Sequence, residues 1–276
     1  MAGPGKRPIS DKMSSQSSKK QKGGVSWQKQ RGNKVTIETG DWGVFVTCDL
    51  GREPKCIAEV LDIFSQSVES SGQGEEDDES GEDEDDIETQ IRKEVEGLKP
   101  GSGKGRLFQA IRLDTPCVTF VRFDKSINPE KMVHDLCEEA YAHPEKKRSR
   151  YVKRMTPIIS IRKVLSVDLE VFAREILKPY FHSGGPPKKY AIRPAIRSNS
   201  KFNRDNVIKT IAGVVGDEHP VDLTNPDLVI LVDVIQNVVG MSVAGSDYDK
   251  LKRYNLAELY NPTPKPDEKK PAESKE

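Results

Sequence analysis

The sequence predicts a mixed α/β (α+β) protein with two small sheet-and-helix domains and disordered termini, and three observations carry that prediction. Between residues 41 and 167, strand-like and helix-like hydrophobic patterns alternate in the order β-α-β-β-α-β. From Lys188 to Ala244 the chain reads as a basic strand, a capped helix and two buried strands. Elsewhere it is polar: of 276 residues only 34% are hydrophobic and 32% are charged, too few apolar side chains for the whole length to pack.

Residues 1–40 form a basic arm rich in Lys, Ser, Gln and Gly with no sustained hydrophobic period, expected to be disordered. Within it, Lys6-Arg7 and Lys19-Lys20-Gln21-Lys22 read either as a two-part nuclear localisation signal or as a solvated arm that adds weak affinity for RNA. The first strand is Gly43-Val44-Phe45-Val46-Thr47-Cys48. Gly51 then turns the chain, Pro54 suits a first helical turn, and Ile57, Val60, Leu61 and Phe64 make one apolar helix face. An insertion at about residues 70–105 follows. It holds eleven carboxylates and no cation between Glu75 and Glu88, reads as a solvated loop, and is followed by a short helix at Ile87–Leu98. The overall balance of 44 cations against 44 acids therefore conceals a basic body, since without that block the cations face 33 acids.

Gly101-Ser102-Gly103-Lys104-Gly105 invites a phosphate-loop reading and fails it. Leu98 stands where the first Gly is needed, Gly105 stands where Mg²⁺ needs Ser or Thr, and no strand precedes the run. Leu107–Leu113 and Cys117–Phe123 read as strands. Asn128-Pro129 opens a helix with Met132, Val133, Leu136, Cys137, Ala140 and Tyr141 on one face, and Pro157–Val167 reads as the last strand. The order is that of a ferredoxin-like domain over residues 41–167.

The second domain, residues 168–254, opens with a helix capped by Asp168 or Ser166. Its face is Leu169, Phe172, Ala173, Ile176 and Leu177, and Pro179 ends it. After Gly184-Gly185-Pro186-Pro187 comes the basic strand. Then Asn203 caps a helix with Val207, Ile208, Ile211, Ala212 and Val215 on one face, and Gly216 terminates it. Leu228–Ile235, apolar except for Asp233, and Val238–Ala244 are joined by Gln236-Asn237 as a hairpin or close crossover. Residues 255–276 are a polar tail with a short helix at Leu256–Tyr260 and are otherwise expected to be disordered.

Several function classes lack support. Cys48, Cys56, Cys117 and Cys137 have no zinc-like spacing and read as buried thiols in a reducing compartment. His134, His143, His182 and His219 form no H-x-E or H-E-x-x-H, and His134 reads as structural. There is no Rossmann fingerprint and no G-x-S-x-G. No apolar run approaches 20 residues, and the N-terminus lacks the apolar core of a signal peptide, so a membrane role is not expected. What remains is cationic. Six Lys and Arg lie between Lys146 and Arg154 with Tyr151 among them, a run that neutralises phosphates or is merely a solvated loop; composition leaves the two even.

Lys189-Tyr190-Ala191-Ile192-Arg193-Pro194, Arg197 and Leu223-Thr224-Asn225-Pro226-Asp227-Leu228, continuing to Ile235, resemble the THUMP domain, an RNA-binding module of tRNA-modification proteins. Arg150-Tyr151-Val152-Lys153-Arg154-Met155-Thr156-Pro157-Ile158 is similar to the stand-alone THUMP adaptors of tRNA cytidine acetylation, and the likeness runs from Trp42 to Tyr254 with one insertion. In such proteins a ferredoxin-like domain precedes the THUMP domain. The resemblance implies a non-catalytic adaptor with no cofactor of its own. It would grip the acceptor end of serine and leucine tRNAs and present a D-arm cytidine to a separate RNA cytidine acetyltransferase that uses acetyl-CoA and ATP. The residues expected to contact RNA are Arg148, Arg150, Lys153, Arg154, Lys188, Lys189, Arg193, Arg197, Lys201, Arg204 and Lys209 on phosphates, with Asn199 and Asn206 on sugars or bases. Tyr190 reads as core rather than as a stacking platform. The expected location is the nucleus or nucleolus, with the cytoplasm left open as a further one. A general structured-RNA or ribosome-assembly factor, and an RNA-modifying enzyme acting alone, are the competing readings.

Overall fold

The computed structural model describes residues 35–72 and 106–262, in which eight strands form two four-stranded sheets. The first is antiparallel in the order β2-β3-β1-β4, from β1 (Gly43–Thr47), β2 (Phe108–Arg112), β3 (Val118–Phe123) and β4 (Met155–Ile158). With α1 (Glu53–Gly72) after β1 and α2 (Pro129–Ala142) after β3, this is the ferredoxin-like arrangement expected. Strand alternation sorts the side chains. Val44, Val46, Val121 and Phe123 meet Val60, Phe64, Val133 and Cys137 of the two helices, each such burial contributing about 1.5–3 kcal/mol. Phe45, Phe120 and Ile111 turn to the opposite face. Asn128 caps α2 by accepting the amides of Glu130 and Lys131, and Pro129 takes the first helical position.

The second sheet has the order β5-β8-β7-β6, from β5 (Ser160–Lys163), β6 (Tyr190–Arg197), β7 (Leu228–Ile235) and β8 (Val238–Gly245). Strands β6 and β7 are parallel, and the other pairs are antiparallel. One face is covered by α3 (Leu169–Phe181) and α4 (Arg204–Val215), which bury Phe172, Leu177 and Ile211 against Ile230, Val232 and Met241. Asn203 caps α4 and Gly216, at φ 88°, ends it. Gln236, at φ 52°, makes the β7–β8 connection a hairpin.

Two expectations about local structure are corrected. The single strand expected over Pro157–Val167 is two, β4 and β5, because the hydrogen-bond partner changes from β1 to β8 across Ile159. The same stretch of chain thus serves both sheets. Pro179 does not end α3: the helix runs to Phe181 with Pro179 inside and exposed, where the missing N–H forfeits one bond in the last turn. Of the two candidate caps, Asp168 is used. The acidic run beyond Gly72, the helix expected at Ile87–Leu98, the Gly101–Gly105 run and the basic arm up to residue 34 lie outside the described residues.

The helix-free faces of the two sheets pack on each other. Phe45, Ile111, Val118 and Phe120 of the first meet Ile161, Ile235 and Val238 of the second, with Ile158 between them. Gly240 permits that closeness, since a Cβ there would lie 2.7 Å from Ile158 Cγ2. After β8, a turn at Lys252–Tyr254 leads into α5 (Leu256–Tyr260), whose Leu256 and Leu259 join the first core. The four cysteines are free thiols, and Cys48, Cys56 and Cys137 are buried as expected.

Candidate nucleic-acid interface

Alternation along β6 sends Tyr190 and Ile192 into the helix-covered core and Arg193, Ala195 and Arg197 to the other face. The parallel register sets Leu231, Asp233 and Ile235 of β7 directly beside them. On that side the two sheets do not close. They leave a cleft of about 240 Å³, walled by Phe45, Thr47 and Val118 of the first sheet, by Arg154 and Thr156 at β4, by Arg204 at the start of α4, and by Tyr248 and Arg253 beyond β8. Arg154 and Arg253 also border a shallower depression of about 530 Å³ with Thr224, Asp249, Lys252 and Asn255, so the cleft opens onto a longer groove.

Five arginines converge here, and they are held differently. Arg193 donates to the Leu223 carbonyl at 3.1 Å and pairs with Asp249 at 3.4 Å. Arg253 pairs with the same Asp249 at 2.7 Å, and Arg204 donates to the Pro194 carbonyl at 3.3 Å. The guanidinium groups of Arg154 and Arg197 make no hydrogen bond to another described residue, and Arg154 Nε and Arg193 Nε are buried without a partner. A buried donor left unpaired costs about 1–3 kcal/mol, which an acceptor entering the cleft would recover.

Two carboxylates organise this charge. Burial would raise Asp249, but its bonds to Arg253 and Arg193 hold it below the usual carboxylate range. Asp233, 8% exposed, is pushed up to about 6 by burial, against the pull of a Thr156 hydrogen bond and the charges of Arg197 and Arg154. Arg253 reaches the cleft from an unusual backbone: Lys252, Arg253 and Tyr254 all have positive φ, of 53°, 56° and 56°. Such residues cost about 1–2 kcal/mol each. The turn is held by the Arg253 amide on the Tyr248 carbonyl at 2.8 Å and by the edge-to-face Tyr248–Tyr254 pair at 4.9 Å.

The THUMP domain sequence pattern matches residues 167–244. An uncharacterized protein of Schizosaccharomyces pombe is 35% identical over 233 residues, 82% of this chain and 78% of that one. THUMP domain-containing protein 1 of Mus musculus is 33% identical over 246 residues, 83% of this chain and 67% of its own. The tRNA acetyltransferase TAN1 of Saccharomyces cerevisiae is 30% identical over 261 residues, 85% and 90% of the two chains. The chain belongs to the THUMP domain-containing protein 1 family.

Within this THUMP protein the residues singled out from sequence fall into separate places. Arg154, Arg193, Arg197 and Arg204 meet in the cleft. Lys188 and Lys189 lie at the other end of β6; at about 3.3 Å per residue, Lys189 is some 26 Å from Arg197. There Lys188 Nζ donates to the Tyr180 carbonyl at 2.9 Å and Lys189 pairs with Asp222 at 3.2 Å. Arg148 pairs with Glu139 at 3.0 Å, Lys153 pairs with Asp49, and Arg150 is exposed. Asn199 closes a turn, donating to the Gln236 carbonyl at 2.6 Å and accepting the Lys201 and Phe202 amides, so its amide is engaged within the fold. Lys201 Nζ donates to the Val164 carbonyl at 2.6 Å, and Asn206 and Lys209 project from the exposed side of α4.

Tyr190 is core, 2% exposed and edge-to-face with Phe181 at 5.7 Å. His134 Nε2 lies 2.6 Å from Asp247, joining α2 to the segment after β8. No local pattern in the sequence marks Arg253, Asp249 or Tyr248, whereas Asp233 stands out as the one polar residue of an apolar strand. Glu59 is likewise unmarked; its carboxylate holds the basic loop by accepting Ser149 Oγ and the amides of Arg150, Tyr151 and Val152 at 2.8–3.0 Å.

Proposed function

We propose that the chain is a non-catalytic tRNA-binding adaptor that presents serine and leucine tRNAs to a separate RNA cytidine acetyltransferase, for acetylcytidine formation in the D-arm. The observation that carries the reading is the arginine cleft, with Arg154 from one sheet and Arg197 from the other unpaired among the described residues at its walls. Guanidinium groups in that state recognise phosphate oxygens bidentately. A cleft of about 240 Å³ admits single nucleotides and excludes a duplex, which suits the unpaired acceptor end of a tRNA. Phosphate contacts of this kind locate the RNA without choosing a base, so the cytidine would be selected by its distance from the grip and by the partner's active site. Membership of a family that includes a protein named tRNA acetyltransferase TAN1 supports the same pathway.

Outside the cleft, Arg148, Arg150, Lys153, Lys188, Lys189, Lys201, Asn206 and Lys209 supply secondary contacts to the tRNA body, and Asn199 holds the turn that follows Arg197. The ion pairs of Arg148, Lys153 and Lys189 are surface pairs worth about 0–1 kcal/mol and yield readily to a phosphate. In this reading the partner enzyme consumes the acetyl-CoA and ATP, the adaptor uses no cofactor or small-molecule substrate, and the basic clusters at Lys6-Arg7 and Lys19–Lys22 direct it to the nucleus or nucleolus.

The test is nucleoside mass spectrometry of tRNA from cells lacking the protein. Loss of acetylcytidine from serine and leucine tRNAs, with that of ribosomal RNA retained, is the expected result; an unchanged tRNA level overturns it. Incubating the purified chain with tRNA, acetyl-CoA and ATP separates the adaptor from an enzyme acting alone: acetylcytidine formed without a partner would reject the adaptor.

A further inference from the structure

We infer that Asp233 is a positioning residue for RNA binding: its carboxylate lines the cleft with Arg154 and Arg197 without ion-pairing to either, and its charge orients both toward one phosphate site between the two sheets. The inference rests on the RNA-binding reading above and goes beyond it, since a buried acid in a cationic cleft would ordinarily be counted against anion binding. Three features carry it. The strand register places Asp233 between Ala195 of β6 and Gly240 of β8, so the positions on either side along the sheet present a methyl group and a hydrogen. On the β6 side the neighbour is therefore small, while on the β8 side Ile158 packs over Gly240. Next, Arg154 and Arg197 have no hydrogen-bonded partner among the described residues, whereas Arg193 and Arg253 share Asp249 and Arg204 has the Pro194 carbonyl. Asp233 is the acid that lines the cleft with these two arginines; neither lies within 4 Å of it as an ion pair, and both act on it electrostatically across the cleft. Finally, those arginines come from different sheets, Arg154 beside β4 and Arg197 at the end of β6. Their mutual repulsion would spread the cleft unless a negative charge sat between them.

Removing the carboxylate has opposite consequences under the two accounts of the site. If the cleft were a simple field of positive charge, Asp233→Asn would raise its charge by one and tighten tRNA binding, with a steeper salt dependence. If Asp233 positions the arginines, the same substitution weakens binding by at least about tenfold and flattens the salt dependence by about 0.7–0.9 for each phosphate no longer neutralised. A merely structural defect lowers the fraction of active protein and leaves the salt slope of the remainder unchanged.

The wild-type chain supplies a second readout that needs no variant. Lining the cleft with Asp233 are Arg154, Arg193, Arg197, Arg204 and Arg253, and Tyr248, which burial pushes up to about 12; Asp249, which pairs with Arg193 and Arg253, is held low by them. Asp233, near 6, is the group lining the cleft that changes charge between about pH 5 and 8. Positioning needs the ionised carboxylate, so affinity falls as pH drops through about 6.

The experiment is fluorescence anisotropy of the full chain with an end-labelled tRNA, across a salt series at about pH 7.5 and again at about pH 5.2. The expected result is weaker binding by wild type at the lower pH, and at pH 7.5 weaker binding with a shallower slope for Asp233→Asn. Equal or tighter binding by Asp233→Asn overturns the inference and leaves the RNA reading standing. If that variant does not fold, pH-independent binding by wild type overturns it instead. No tRNA binding by wild type at either pH removes the RNA reading itself.

Discussion

The carboxylate of Glu59, on α1, accepts the backbone amide of Tyr151 at 2.8 Å, although 92 residues separate the two in the chain. Three further donors, Ser149 Oγ and the amides of Arg150 and Val152, close on the same side chain. A loop with six cations in nine residues is thereby tied to a helix by an anion lodged among its backbone N–H groups. Burial would raise the Glu59 pKa, but these bonds outweigh it and leave the group below its ordinary value of 4.5.

Glu59→Ala is therefore expected to destabilise the protein by about 2–4 kcal/mol, because four donors lose a charged acceptor. Its pH dependence has a definite sign. A carboxylate with a depressed folded pKa contributes stability above its unfolded value, and that stability is lost as pH falls below about 4.5 through the folded one. Urea denaturation at about pH 7 and pH 3.5 checks this: the gap between wild type and Glu59→Ala should shrink at the lower pH.

Arg154→Gln combined with Arg197→Gln should leave the thermal midpoint within a few degrees of wild type, since neither guanidinium is hydrogen-bonded to another described residue. Binding to tRNA should weaken strongly and its salt slope should fall by about 1.4–1.8, the effect of two phosphates no longer neutralised. Anisotropy across a salt series, with circular dichroism as the folding control, reads both.

Gly240→Ala should cost about 1–3 kcal/mol, because its methyl group would press into Ile158 at 2.7 Å, where the two sheets meet. Combining it with Ile158→Val, which removes one methyl from the crowded spot, should recover part of that stability. A denaturant double-mutant cycle measures the coupling, and strictly additive effects would show that the two residues do not press on each other.

Tyr190 separates packing from stacking. Tyr190→Ala should cost about 3–5 kcal/mol of stability as a core truncation, while Tyr190→Phe, which keeps the ring against Phe181, should bind tRNA with wild-type affinity. A base-stacking tyrosine would show the reverse pattern, with Ala lowering affinity more than stability.

Most elements were legible because each depends on neighbours in the chain. Asn203 and Gly216 bracket α4, Asn128 and Pro129 open α2, and the β6, β7 and β8 runs carry their own burial pattern. The two misreadings mark where distant contacts prevail. Ile159 ends a strand for want of a continuing partner on β1, a fact about pairing, and α3 passes Pro179 because the missing bond falls at an exposed last turn. The candidate site divides the same way: the basic strand contributes Arg193 and Arg197, while Arg253 enters the cleft by a left-handed turn that local sequence does not announce.

By itself, then, the sequence determined the order of strands and helices, the cationic character of the body and the likeness of Lys189–Ile235 to an RNA-binding module, because periodicity, capping and charge are local properties. Only the tertiary structure decided which cations act together. Of thirteen polar residues singled out in advance, it gathers Arg154, Arg193, Arg197 and Arg204 around one cleft and leaves the rest at separate surfaces. The reason is geometric. Whether two guanidinium groups share a phosphate depends on strand register and on how closely two sheets approach, and that approach is set at Gly240 and Ile158, neither of which carries a charge.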